Sequence, residues 1–81
     1  MEIIEIFTKG CIHCDYIYRL QKKLEIYDKI IHIEHGTEEE KKYLNYNITK
    51  APTFLIIIDN HLFKKYENVE RKDLEEIKMF L

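Results

Sequence analysis

The sequence predicts one α/β domain over residues 1–81, a four-stranded mixed sheet with helices on both faces in the order β-α-β-α-β-β-α. Three observations predict it. Short apolar runs, three of them isoleucine-rich and all too short for helices, are set among stretches whose apolar residues recur at helical spacing. The first two runs are separated by such a stretch, so they pair in parallel through a right-handed crossover. The last two are separated only by Asp59-Asn60, a tight-turn pair, so they pair antiparallel as a hairpin.

Ile3 to Phe7 is an apolar run closed by Thr8-Lys9-Gly10 and reads as a strand buried on both faces. After Cys14 the period becomes helical, with Ile17, Leu20, Leu24 and Tyr27 on one stripe. Asp15 falls in the first turn and Lys22 and Lys23 further on, as the helix dipole favours. Ile30 to Glu34 is the second β-branched run. Gly36 breaks the chain, and Thr37-Glu38-Glu39-Glu40 has the form of a capping box. It opens a short helix to about Tyr46, where Asn47 can take the left-handed position that ends it. Pro52 opens the third strand, Thr53 to Ile58, and His61 to Tyr66 returns beside it, with Lys64 and Lys65 suited to a charged edge. Asn68 is placed to cap a last helix whose buried stripe is Leu74, Ile77 and Phe80 or Leu81.

With 46% hydrophobic residues, two Gly and one Pro, the chain reads as compact and not disordered. The net charge is −2 and the basic residues are scattered, Lys22-Lys23, Lys41-Lys42 and Lys64-Lys65 being the densest pairs, which argues against a nucleic-acid partner. The longest apolar run, Phe54 to Ile58, is too short to span a bilayer, so no membrane partner is expected. The start, Met1 to Glu5, lacks the basic and apolar regions of a signal peptide, which predicts a cytosolic protein, acting as a monomer.

Two cysteines three residues apart cannot staple a fold; in a reducing compartment they point to redox or metal chemistry. Cys11 lies where a strand hands over to a helix and Cys14 one turn along it, within disulfide reach of each other. At a helix N-terminus free backbone N–H groups and the dipole stabilise a thiolate, the reactive form. Cys11 is therefore expected to attack a substrate disulfide, and the more shielded Cys14 to displace the reduced substrate and close the Cys11–Cys14 bond.

Phe7-Thr8-Lys9-Gly10-Cys11-Ile12-His13-Cys14 resembles the active-site segment of the thioredoxin/glutaredoxin superfamily. Tyr46-Asn47-Ile48-Thr49-Lys50-Ala51-Pro52-Thr53-Phe54-Leu55 resembles the thioredoxin segment around its cis-proline. Length is that of a glutaredoxin, the Pro-Thr segment that of a thioredoxin, a combination found in small thioredoxins of glutaredoxin length. The resemblance implies the thioredoxin fold, a cis bond before Pro52, and a backbone at Ala51 that pairs with bound substrate. It implies no cofactor beyond the redox-active Cys11–Cys14 disulfide.

It also assigns roles around the pair. His13, just before the second cysteine, resembles the more oxidising members, where a partly positive imidazole stabilises the first thiolate. On that reading the potential lies at roughly −200 to −250 mV, against about −270 mV for thioredoxin. Ile12 replaces the Pro or Gly common there, Gly10 replaces a tryptophan, and Lys9 adds positive potential or, as in glutaredoxins, contacts a glutathione carboxylate. Glu5, six residues before Cys11, coincides with the buried acid of thioredoxins that moves the second cysteine's proton. The loop is one residue short, so the alternative is a Glu5 that reaches solvent at a strand end. His32, His35 and His61 read as surface or strand-edge residues, and Tyr16 and Tyr18 as packing residues near the site.

The function implied is a thiol-disulfide oxidoreductase that reduces protein disulfides, a ribonucleotide reductase among the candidate substrates, recharged by a reductase or by glutathione. A glutathione-dependent glutaredoxin is the alternative, although Tyr66-Glu67-Asn68-Val69 stands where glutaredoxins carry Gly-Gly and an Asp-type turn. A zinc module is the third reading, and it lacks a second C-x-x-C or paired histidines to complete four ligands, so no metal site is assigned.

Overall fold

The computed structural model describes residues 1–81. Strands β1 (Glu2–Phe7), β2 (Ile31–Glu34), β3 (Thr53–Ile58) and β4 (His61–Tyr66) form one sheet in the order β2-β1-β3-β4. β1 and β2 are parallel, while β1–β3 and β3–β4 are antiparallel. The helices are α1 (Ile12–Lys23) and α2 (Arg71–Lys78), with a 3₁₀ turn at Tyr27–Lys29 before β2 and a longer 3₁₀ helix at Glu38–Tyr46 after it. The element order is the expected one.

Strand alternation divides the core. Ile3, Phe54 and Ile56 face one side and pack with Ile17 and Leu20 of α1 and Leu74 and Ile77 of α2. Ile4, Ile6, Ile33, Leu55 and Ile57 face the other, under Tyr43, Tyr46 and Ile48. Period two puts Glu5 on the same face as Ile3, and therefore beneath α1.

The structure corrects four local expectations. Tyr27 is not on the α1 stripe, because the helix stops at Lys23. Glu25 turns left-handed at φ 60°, its N–H bonding Lys22 O and that of Ile26 bonding Gln21 O, the Schellman arrangement without its usual glycine. Thr37 does not cap: its hydroxyl donates to Glu34 O, and Glu40 reaches back one residue further, to Gly36 N–H at 2.8 Å. The helix that follows is 3₁₀, and it ends as expected on left-handed Asn47. The N-cap of α2 is Glu70, in a capping box with Asp73, and Asn68 lies in the preceding turn at φ 49°. In the final turn Phe80 packs on the core while Leu81 is exposed.

The Asp59-Asn60 turn has both residues left-handed, at φ 51° and 65°, the conformation whose twist suits a two-residue hairpin. β4 is an edge strand, as its lysines suggest. No helix is long and apolar enough to cross a membrane.

Candidate active site

The chain leaves β1 through Thr8-Lys9-Gly10 and enters α1 at Cys11, which is the N-cap residue with extended backbone. Gly10 sits at φ 76° with open space around it, so backbone conformation and not crowding calls for glycine there. Cys11 is half-buried, and its sulfur accepts the Cys14 N–H at 3.2 Å, the orphan amide a helix offers at its first turn. Ile12 beside it is almost fully exposed.

Cys14 is buried. Burial, the hydrogen bond with Cys11 and the nearby Glu5 charge push its thiol up to about 12, against the pull of the Thr8 backbone. The two sulfurs are thus unequal: one is reachable and bonded to an amide, the other is shielded and held as a thiol.

Glu5 is buried beneath α1, which decides between its two readings in favour of the interior. Burial raises its carboxyl to about 7, although a hydrogen bond from Gln21 Nε2 at 3.0 Å opposes the rise. Glu5 and Cys14 line one cleft of about 260 Å³, together with Lys9, Tyr18, Tyr27 and His32. Lys9 itself is largely exposed and faces Glu34 at 3.7 Å.

His32 departs from the surface reading. It pairs with Glu5 in the strand register and lies under the helix, its Nε2 2.8 Å from Gln21 Oε1 and 3.6 Å from Glu5 Oε1. The ring stacks on Tyr27 with centroids 4.1 Å apart. Gln21, fully buried on α1, was not singled out by the sequence; its heptad-like spacing from Cys14 was the available signal. His35 is an exposed partner of buried Glu40, at 2.9 Å, and His61 is exposed.

His13 lies within the motif but is tethered across it. Its Nε2 is 2.6 Å from Val69 O, and the Val69 N–H bonds Pro52 O at 3.1 Å. Val69 therefore ties the first turn of α1 to the segment after Ala51. The Ala51–Pro52 bond is cis, as the resemblance implies. Ala51 borders a second, shallow groove of about 140 Å³ with Thr8, His35, Thr49 and Lys50. Tyr16 stacks loosely on His13, and Tyr18 meets Tyr27 edge to face. No three His, Cys, Asp or Glu side chains are gathered as a metal-ligand set.

No protein-family model and no curated protein matches the sequence. Solved structures do. Thioredoxin f from spinach chloroplast (short form) is similar at 25% identity and TM-score 0.68, over 95% of this chain and 72% of that one. The reduced thioredoxin pre-protein of Schistosoma mansoni is similar at 25% identity and TM-score 0.67, over 98% and 77%. A chain in the complex of ferredoxin:thioredoxin reductase with thioredoxin f2 is similar at 21% identity and TM-score 0.71, over 96% and 74%.

Proposed function

We propose that this chain, a member of the thioredoxin/glutaredoxin superfamily and in kind a thiol-disulfide oxidoreductase, reduces disulfides in other proteins with the dithiol Cys11/Cys14. The inequality of the two sulfurs carries the reading. Cys11, half-buried and bonded to a helix-terminal amide, is the nucleophile; its sulfur attacks a substrate disulfide and one substrate sulfur leaves as thiolate. Cys14 then attacks the Cys11 sulfur, the mixed disulfide breaks, the second substrate sulfur leaves, and the Cys11–Cys14 bond forms. Glu5, near half ionisation at neutral pH, takes the proton that Cys14 must lose first. The cysteine pair is itself the electron carrier, and the reading calls on no further cofactor.

Substrate lies across exposed Ile12, within the motif, and against Ala51, whose neighbour Pro52 is linked through Val69 to His13 of the motif. The likenesses to thioredoxins favour a dedicated reductase as the electron source over glutathione, and one of the similar structures is a complex with such a reductase. The test is trapping with Cys14→Ser, which leaves the mixed disulfide unresolved. Disulfide-linked protein partners that dissolve on adding dithiol are the expected result; if Cys11→Ser trapped the same partners, the assignment of nucleophile would be wrong.

A further inference from the structure

The Glu5 carboxyl lines the cleft but is itself almost shut off from water. Its side chain is 3% exposed, and its strand neighbours Ile4 and Ile6 are core residues. A buried acid that takes a proton from Cys14 in one turnover must return it to solvent before the next. The side chain against it that does reach solvent is His32, at 16%.

The hydrogen bonds fix how that histidine is held. Gln21 Nε2 donates to Glu5 Oε1 at 3.0 Å and to Ile17 O at 3.4 Å, so its amide oxygen is the end turned to the ring. An amide oxygen only accepts, so His32 Nε2 carries a hydrogen and donates it across 2.8 Å. The same nitrogen is 3.6 Å from Glu5 Oε1, a small ring rotation from a direct bond. No buried side-chain nitrogen or oxygen is left unpaired, so Nδ1, which takes no part in this network, meets water. Tyr27, stacked on the ring, holds its plane, and the cleft of about 260 Å³ supplies the water.

We propose that His32 is the proton port of the dithiol site, passing protons between Glu5 and the water of the cleft while Gln21 holds the two in register. The proposal rests on the reading of Glu5 as the acid–base partner of Cys14. When the Cys11–Cys14 disulfide is reduced, a donor thiolate bonds Cys11 and Cys14 leaves as thiolate, taking the Glu5 proton. His32 Nδ1 takes a proton from hydronium or a buffer acid in the cleft as Nε2–H reprotonates Glu5, so that the ring ends neutral with its hydrogen on Nδ1. In the resolving direction the same transfers run in reverse. The charged and titratable groups around the ring are Glu5 on β1, Cys14, Asp15 and Tyr18 on α1, Lys9 in the loop, and Tyr27 and Asp28 in the 3₁₀ turn. Burial lowers the His32 pKa and Asp28 opposes that, so the ring is neutral near neutral pH.

The experiment reads the resolving step directly. A chromogenic aromatic disulfide releases one coloured thiolate when Cys11 attacks and a second when Cys14 displaces the other, so the second phase of a stopped-flow trace is the step in question. His32→Gln keeps a donor for Gln21 Oε1 but cannot titrate. Its second phase is expected to be at least about tenfold slower, less than the ~100-fold that loss of a direct acid–base group brings. It should also become dependent on buffer concentration, and its pH profile should lose one ionisation. His32→Ala leaves space beside Tyr27, and added imidazole should restore its rate in a saturable way. A second phase unchanged and buffer-independent in His32→Gln would overturn the proposal, as would His32→Ala slow at every imidazole concentration while folded by circular dichroism. Glu5→Gln separates the two levels. If it is slow while His32→Gln is normal, only the port is wrong; if it resolves like the wild type, the Glu5 reading fails and the port with it.

Discussion

Glu5→Gln should make this protein more stable at neutral pH while making it a slower catalyst. The carboxyl rises from 4.5 to about 7 on folding, so the unfolded chain binds fewer protons than the native one between those values. Stability therefore falls as pH rises through that window: the group costs nothing below about pH 4.5 and its full penalty above about pH 7. Raising the carboxyl from 4.5 to about 7, at ~1.36 kcal/mol for each tenfold change in proton affinity, costs about 3 kcal/mol. At ~4–8 °C per kcal/mol for a domain this size, that is a rise in Tm of more than about 10 °C. Glutamine fits the same space and its amide oxygen still accepts from Gln21, so the native bond at 3.0 Å survives.

The assay is chemical denaturation of the reduced wild type and variant from about pH 5 to 8, below the range where native Cys14, held up to about 12, titrates; ionisation of the unfolded thiol is common to both proteins and cancels in their difference. His32, whose pKa is lowered by burial, contributes the opposite slope, but it does so in both proteins and largely cancels in their difference. The stability difference should be small at pH 5, grow towards pH 7 and then level off. A difference independent of pH, or a variant less stable at pH 8, would refute the claim that a desolvated carboxylate sits under α1.

Iodoacetamide at mildly acidic pH should label Cys11 before Cys14 in the reduced protein, read by peptide mass; preferential labelling of Cys14 would reverse the roles. His13→Ala removes the bond to Val69 O, at a cost of about 1 kcal/mol in denaturant stability. Equilibration against a reference dithiol should place that variant at a more negative potential, and since 30 mV corresponds to about 1.4 kcal/mol even one lost charge interaction is readable. An unchanged or less negative value would make His13 a tether only. Glu40→Ala deprives the Gly36 N–H and His35 of their buried acceptor and should cost about 2 kcal/mol at neutral pH. With glutathione as sole reductant, turnover of a protein disulfide should be slow compared with turnover driven by a dithiol; equal rates would favour the glutaredoxin reading.

The strands and the hairpin were legible because their signals are local: β-branched runs, a proline and an Asp-Asn turn each act within a few residues. The ends of helices were less so. Just past α1, Glu25 takes a left-handed conformation that a glycine would have announced; the N-cap of α2 lies two residues beyond Asn68, and Thr37 holds the N-cap position of the Glu38–Tyr46 segment while its hydroxyl bonds Glu34 O instead. The cysteine motif was legible for a different reason, since its chemistry depends on a fixed spacing at a strand-to-helix junction. His13 was visible, but its bond to a carbonyl 56 residues away was not.

His32 and Gln21 show what spacing alone leaves out. A histidine between two isoleucines on a strand looks like an edge residue until the parallel register sets it opposite Glu5. Had the register slipped by one residue, Ile31 or Ile33 would face the acid and His32 would lie on the other side of the sheet. The register is held by the far-face packing of Ile4, Ile6 and Ile33, none of which touches the chemistry, while Ile31 opposite Ile4 is exposed. Packing on the far face of the sheet thus places the histidine on the near one. It also explains how the domain tolerates a buried acid costing about 3 kcal/mol, when whole domains are stable by only ~5–15 kcal/mol. The acid is seated with amide and imidazole partners in a cleft, and not among apolar side chains alone. A substitution such as Ile33→Ala, which opens the far face without touching the site, should therefore cost about 2–5 kcal/mol in stability and also broaden the His32 ring resonances in NMR. Sharp, unshifted His32 signals in that variant would show that the two faces are independent.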